Sequence, residues 1–164
     1  MSTAGTGGAR GPKGLSRSQA RLAAVQALYQ MDLAETDLAA VIEEFKAHRL
    51  GGDHDNGTLA QADAEHFADL LKGVVRRQRE IDPMVDKQLA EGWRLTRIDS
   101  IVRAILRAAV FELMELTEVP ARVVISEYIE VAHAFFEGDE PKVVNGVLDA
   151  LARKLRPGQL PDRG

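Results

Sequence analysis

A chain of 164 residues, 45% hydrophobic and 28% charged, is long enough to bury one ordinary core or two small bundles. Its 5% aromatic content, beside plentiful Ala, Leu, Glu and Arg, favours helices over a β-sandwich or barrel. No run reaches the ~18 apolar residues of a membrane span, the N-terminus has no apolar secretory segment, and zero cysteines exclude disulfides, thiolate zinc sites and cysteine nucleophiles. A soluble cytoplasmic protein is expected. The net charge of −4 is unevenly spread: no acidic residue precedes Asp32, but Arg10, Lys13, Arg17 and Arg21 do. The other 17 of the 21 cations face all 25 acidic side chains, so a body of −8 carries an N-terminal segment of +4. Such asymmetry marks a basic arm suited to phosphate.

In chain order, residues 1–15 read as a flexible, Gly-rich basic arm. Ser16, with Gln19 three residues on, has the form of a capping box, and a helix follows from about Arg17 to Ala34 with Leu22, Val25, Tyr29 and Leu33 on one face. Arg17 and Arg21 lie on the flank of that stripe. Asp37 caps a second helix through Val41, Ile42 and Phe45 to about Arg49. The Gly- and Asp-rich stretch 51–57 is a loop whose Asp53, His54 and Asp55 lack the rigid ligand spacing of a metal site. A third helix spans about Gln61 to Glu80, with Phe67, Leu70, Leu71, Val74 and Val75 inward and Lys72, Arg76, Arg77 and Arg79 near its end, where cations suit the dipole. Asp82-Pro83 predicts a new short helix, proline being favoured at the first helical position, ending near Gly92. Trp93 then leads into the connection, and Thr96 with Asp99 has the form of another capping box.

The segment from Ile98 to Leu116 is the longest strongly apolar one. Ile98, Ile101, Val102, Ile105, Ala109, Leu113 and Leu116 recur at helical steps and predict a central helix covered on more than one side. Arg103 and Arg107 are expected to point away from that stripe. Glu112 falls within it, and a buried carboxylate needs partners. After Pro120 a helix runs through Ile125, Tyr128, Ile129, Ala132, Phe135 and Phe136, with Gly138 as its C′ stop. Asp139-Glu140-Pro141 starts the last helix, striped by Val144, Val147, Leu148, Leu151 and Leu155 and ended by Pro157. Asn145 and Gly146 both disfavour a helix interior, which predicts close backbone packing or a specific hydrogen bond there. The expected fold is all-α, about seven helices, with one helical domain over 16–157 and a tail over 158–164. No phosphate-binding Gly loop, nucleophile elbow, HExxH or dinucleotide fingerprint is present, so a catalytic site is not expected.

Ala20-Arg21 with Ala24 to Tyr29, Ile98-Asp99 with Ile105 to Ala109 and Phe111 to Leu113, Val119-Pro120 with Val124 to Glu130, and Val144 to Asp149 together resemble the NusB family of transcription antitermination factors, every block in order between about Ser16 and Pro157. The resemblance implies two packed three-helix bundles that act without catalysis, cofactor or metal. It implies binding to the boxA element of nascent ribosomal-operon RNA together with NusE, the small-subunit ribosomal protein, and action on elongating RNA polymerase with other Nus factors. By position in the family pattern, the RNA face would comprise Arg10, Lys13, Arg17, Arg21, Tyr29, Arg107, Lys142 and Asn145; the partner face would involve Arg103 and Asp139. Val143 departs from the family's frequent aromatic residue there, and the arm is less dense in arginine. RNA binding is therefore expected to depend on the partner. Some members of the family self-associate, so a homodimer is a further expectation. NusB-like bundles also form the RNA-binding part of ribosomal-RNA cytosine methyltransferases; with no Rossmann-type domain and no cysteine nucleophile, the alternative reading is an RNA-binding fragment of such an enzyme.

Overall fold

In the computed structural model, residues 12–50, 62–92 and 100–161 are described, with side chains from Ser16 onward and not for residues 91 and 92. Six helices occur among them: α1 (Pro12–Ala34), α2 (Leu38–His48), α3 (Ala64–Gly92), α4 (Ser100–Glu115), α5 (Ala121–Phe135) and α6 (Glu140–Leu155). Trp93, Thr96, Ile98 and Asp99, and the 51–57 loop, lie outside the described residues. The chain divides into two compact units, one up to Lys72 and one from Gly73.

In the first unit, α1 begins at Pro12, so Ser16 is an interior helical residue and not an N-cap. The buried side of α1 is Ala20, Ala23, Ala24, Val25, Ala27 and Leu28, while Leu22 and Tyr29 are half-buried and Leu33 is 63% exposed. The expected stripe is thus rotated. Small alanines let neighbouring backbone approach closely, and the bulky residues fall to the flank. α1 stops at Glu35, which adopts a left-handed φ of 54° and donates its N–H to the Met31 carbonyl at 2.9 Å. Asp37 caps α2 as expected, accepting from the Ala40 N–H at 3.3 Å. Asp63 caps α3 likewise, accepting from the His66 N–H at 3.0 Å. Phe45 of α2 stacks on Phe67 of α3 with ring centroids 5.2 Å apart, and the Arg49 guanidinium lies 4.6 Å over the Phe45 ring.

In the second unit, α3 runs through Pro83 without a break, so the short separate helix expected from Asp82-Pro83 does not exist. That merger is one reason the helices number six. Proline removes one i→i−4 hydrogen bond and crowds a carbonyl; the apolar residues Ile81, Val85 and Leu89, all buried, hold the helical course across it. Val75 is 39% exposed, not inward. α4 is the central helix: from Ala104 to Leu113 every residue is buried. Its packing against α3 is close at Gly73, where an added Cβ would lie 2.1–2.7 Å from the Phe111 ring. α5 ends at Phe135 with Phe136 as C-cap, and Gly138 has no positive φ, so it is not the αL stop expected of it. Asp139 is the N-cap of α6 and Pro141 sits in its first turn, as the sequence predicts.

The ends of three helices meet at one side chain. Arg156, only 4% exposed, donates to the carbonyls of Leu113 (2.7 Å), Val119 (2.9 Å), Leu116 (3.0 Å) and Glu112 (3.2 Å), and to Gln159 Oε1 at 3.1 Å. The same Gln159 oxygen accepts from the Ala121 N–H at 2.9 Å, at the start of α5. Positive charge at the C-terminal end of α4 also suits the helix dipole. Gln159, in the C-terminal tail, is thereby fastened to the body, and Arg153 donates to the Pro161 carbonyl at 2.7 Å. No helix among the described residues is long and apolar enough to cross a membrane.

Candidate nucleic-acid interface

The cations and polar residues expected on the RNA face divide by environment. Arg10 lies outside the described residues; Lys13 falls in the first turn of α1, where side chains are not described. Arg17 is half-buried, and its Nε has no hydrogen-bond partner among the described residues. Arg21, one turn on, is only 4% exposed and is held by interactions of its own. Tyr29, about three turns beyond Arg17, is half-buried. From Arg17 to Tyr29 the helix rises about 18 Å.

In the second unit, Lys142 and Asn145 are exposed, one turn apart on the same face of α6. Asn145 also edges a groove of about 300 Å³ between α5 and α6, lined by Arg122, Ser126, Ile129, Glu130 and Asp149 among others. The amide thus stands at a solvent-facing rim; of the two expectations for this position, close backbone packing or a specific hydrogen bond, the second is not met among the described residues. Val143, at the position where the family often has an aromatic residue, is buried, so it supplies no exposed platform.

Arg107 differs most from expectation. It is only 8% exposed and turned to α3, where Nε and Nη2 donate to the two carboxylate oxygens of Asp82 at 2.8 and 3.1 Å. The bidentate fork is the strongest geometry for such a pair. Arg103, on the same side, donates to Asp86 at 2.5 Å. Arg107 is withdrawn from solvent, while Arg103 is half-buried and its pair with Asp86 lies at the surface. The carboxylates that hold them were hidden in the sequence because Asp82 beside Pro83 has the look of a cap. Asp139 is exposed, its carbonyl accepting from the Lys142 and Val143 N–H groups at 2.9 and 3.2 Å while its carboxylate makes no capping bond.

Two further groups of charges complete the second unit. Glu112, fully buried, accepts from the Tyr128 hydroxyl at 2.5 Å, so the buried carboxylate is met by a phenol. At the end of α4, Glu115 pairs with Arg77 and lies 3.6 Å from Arg76, while Arg77 also forks onto Glu80 at 2.8 Å through both Nε and Nη2. The hydrogen bonds from Arg77 hold the Glu80 carboxyl below its ordinary value, and the two carboxylates push the Arg77 guanidinium up. No group of three or more His, Asp or Glu that could hold a metal ion occurs among the described residues.

Comparison with known proteins gives this geometry a lineage. The NusB family model matches residues 18–153. The transcription antitermination protein NusB of Allorhizobium ampelinum is 53% identical over 140 residues, covering 85% of this chain and 88% of that protein. The NusB of Agrobacterium fabrum is also 53% identical, over 85% of both chains. Among solved structures, T. maritima NusB superposes with a TM-score of 0.69 at 30% identity, over 84% of this chain and 91% of that one. A structure of antitermination factors NusB and NusE in complex with dsRNA matches with a TM-score of 0.69 at 25% identity, over 85% and 97%. The same blocks of residues that carry the sequence resemblance build α1, α4, α5 and α6, and the chain belongs to the NusB family.

Proposed function

We propose that this protein is a non-catalytic RNA-binding factor of transcription antitermination, which binds the boxA element of ribosomal-operon RNA together with NusE and acts on elongating RNA polymerase. The observation that carries the reading is the identity of half or more to antitermination proteins over most of the chain. A relative of the same fold has been solved with NusE and RNA, which supports the choice of partners. In this reading the arm cations Arg10 and Lys13, with Arg17, Lys142 and Asn145, contact RNA directly and Tyr29 offers its ring to a base. Arg21 and Arg107, being buried, hold the helices that carry them. Asp139 and the Arg103–Asp86 pair belong to the partner-facing side, and the family's two three-helix bundles form the body.

The test is a fluorescence-anisotropy titration of boxA RNA and a scrambled RNA, each with and without NusE, over a range of salt. Preference for boxA, sharpened by NusE and weakened by salt, is the expected result. Equal weak binding to both RNAs, unmoved by NusE, would refute the reading, and sedimentation at micromolar concentration would then decide whether the helical body serves as a homodimer.

A further inference from the structure

The outer face of α3 in the second unit carries charge that the RNA and partner faces proposed above do not include. At 100° per residue, Arg76, Arg79, Pro83 and Lys87 fall on one side of α3, opposite the buried Val74, Ile81, Val85 and Leu89. All four are exposed. The acidic residues on this part of the helix are each engaged: Glu80 by Arg77, Asp82 by Arg107, Asp86 by Arg103. Arg79 and Lys87 have no ion pair or hydrogen bond among the described residues, and Arg76 has only a 3.6 Å approach to Glu115, which is already held by Arg77. Internal pairing has thus consumed the negative charge and left the positive charge outside.

We propose that this stripe is a second phosphate-tracking surface, which binds the backbone of RNA flanking the boxA element; the inference rests on the RNA-binding reading above. From Arg76 to Lys87 the helix rises about 16 Å, the length of about five phosphates of a stacked strand at ~3.4 Å each. The face has no aromatic residue and no large apolar patch, only Pro83 between the cations, so it offers nothing for a protein partner to bury. Cations repeated along one exposed helix face suit the phosphate backbone, whose contacts position a strand and carry no sequence information directly. The acids between Arg76 and Lys87 are each committed to an arginine of the chain itself, which leaves the charge of the stripe for a polyanion.

The stripe is tested in the full chain by the triple variant Arg76→Gln/Arg79→Gln/Lys87→Gln. Binding is measured against salt with two RNAs, the boxA core alone and the same core extended by about ten nucleotides on each side. A control variant, Lys46→Glu/Lys154→Gln, removes the same three units of positive charge at other exposed positions. With the extended RNA the stripe variant should lose about two from the slope of log affinity against log salt, three contacts at ~0.7 each on a single strand. The core RNA and the control should show little change. Equal slopes for wild type and stripe variant on the extended RNA would overturn the proposal. So would an equal loss in the control, which would reduce the effect to net charge, or a loss confined to NusE capture, which would make the face a protein site. The slope is read on any RNA of sufficient length, so the comparison decides the stripe even where boxA preference, and with it the reading above, fails.

Discussion

Among the described residues, Arg156 is a buried cation with no carboxylate partner; its charge is met by four carbonyl groups at the C-terminal end of α4 and the turn that follows. Two of those carbonyls have other donors, Glu112 from the Leu116 N–H and Leu116 from the Val119 N–H, both at 2.9 Å. The carbonyls of Leu113 and Val119 depend on the guanidinium. A buried acceptor stripped of its donor costs about 1–3 kcal/mol, so Arg156→Met is expected to lower stability by about 2–5 kcal/mol. Arg156→Lys should recover only part of this, since an ammonium is a point donor and cannot span the fork. Urea denaturation at constant m-value checks both; a loss below about 1 kcal/mol for Arg156→Met would mean that water replaces the guanidinium without cost. The residue is not legible from spacing alone. Arg156 before Pro157 has the look of an ordinary helix end, and only the fold brings residues 113 and 119 to it.

Between elements, the tightest fit is α3 against α4 at Gly73 and Phe111. A methyl at 73 would penetrate the ring, so Gly73→Ala must displace Phe111 or part the helices. Overpacking of this kind costs about 1–3 kcal/mol and often more where the neighbour is fully enclosed. The diagnostic is the double-mutant cycle: Gly73→Ala in a Phe111→Leu background should cost at least about 1 kcal/mol less than in the wild type. Additive losses would show that the methyl is resisted by something other than the ring. The same scale shows what periodicity could and could not reveal. α4 was plain, since eleven of its residues are buried and nearly all of those are apolar. The buried side of α1 is only partly legible, because four of its buried residues are alanines and carry little hydrophobic signal against Leu22 and Leu33. Pro83 drew a boundary that tertiary packing ignores, and with it went the partner of Arg107. Local propensity yields where several buried neighbours hold the helix on both sides of a proline.

For the whole molecule, the decisive contrast is between residues that contribute charge to the surface and residues that contribute it to the scaffold. Arg17 is half-buried on α1 and Arg21 almost wholly so, although the sequence sets them one turn apart with the same chemistry. Arg17→Gln should therefore weaken RNA binding alike for boxA and scrambled RNA, reduce the salt slope by about 0.7, and leave the melting temperature unchanged. Arg21→Gln should lower the melting temperature as well, because it empties a site inside the first unit. Asn145→Ala provides the third arm. An uncharged, exposed amide contributes nothing to counterion release, so the slope should stay fixed while the preference for boxA over scrambled RNA falls, by about 1–3 kcal/mol if the amide reads a base edge. Anisotropy against salt and thermal melting of the three variants separate the roles. If Arg21→Gln melted like the wild type and bound like Arg17→Gln, the buried arginine would be reaching phosphate after all, and α1 would have to turn its flank toward RNA when the complex forms.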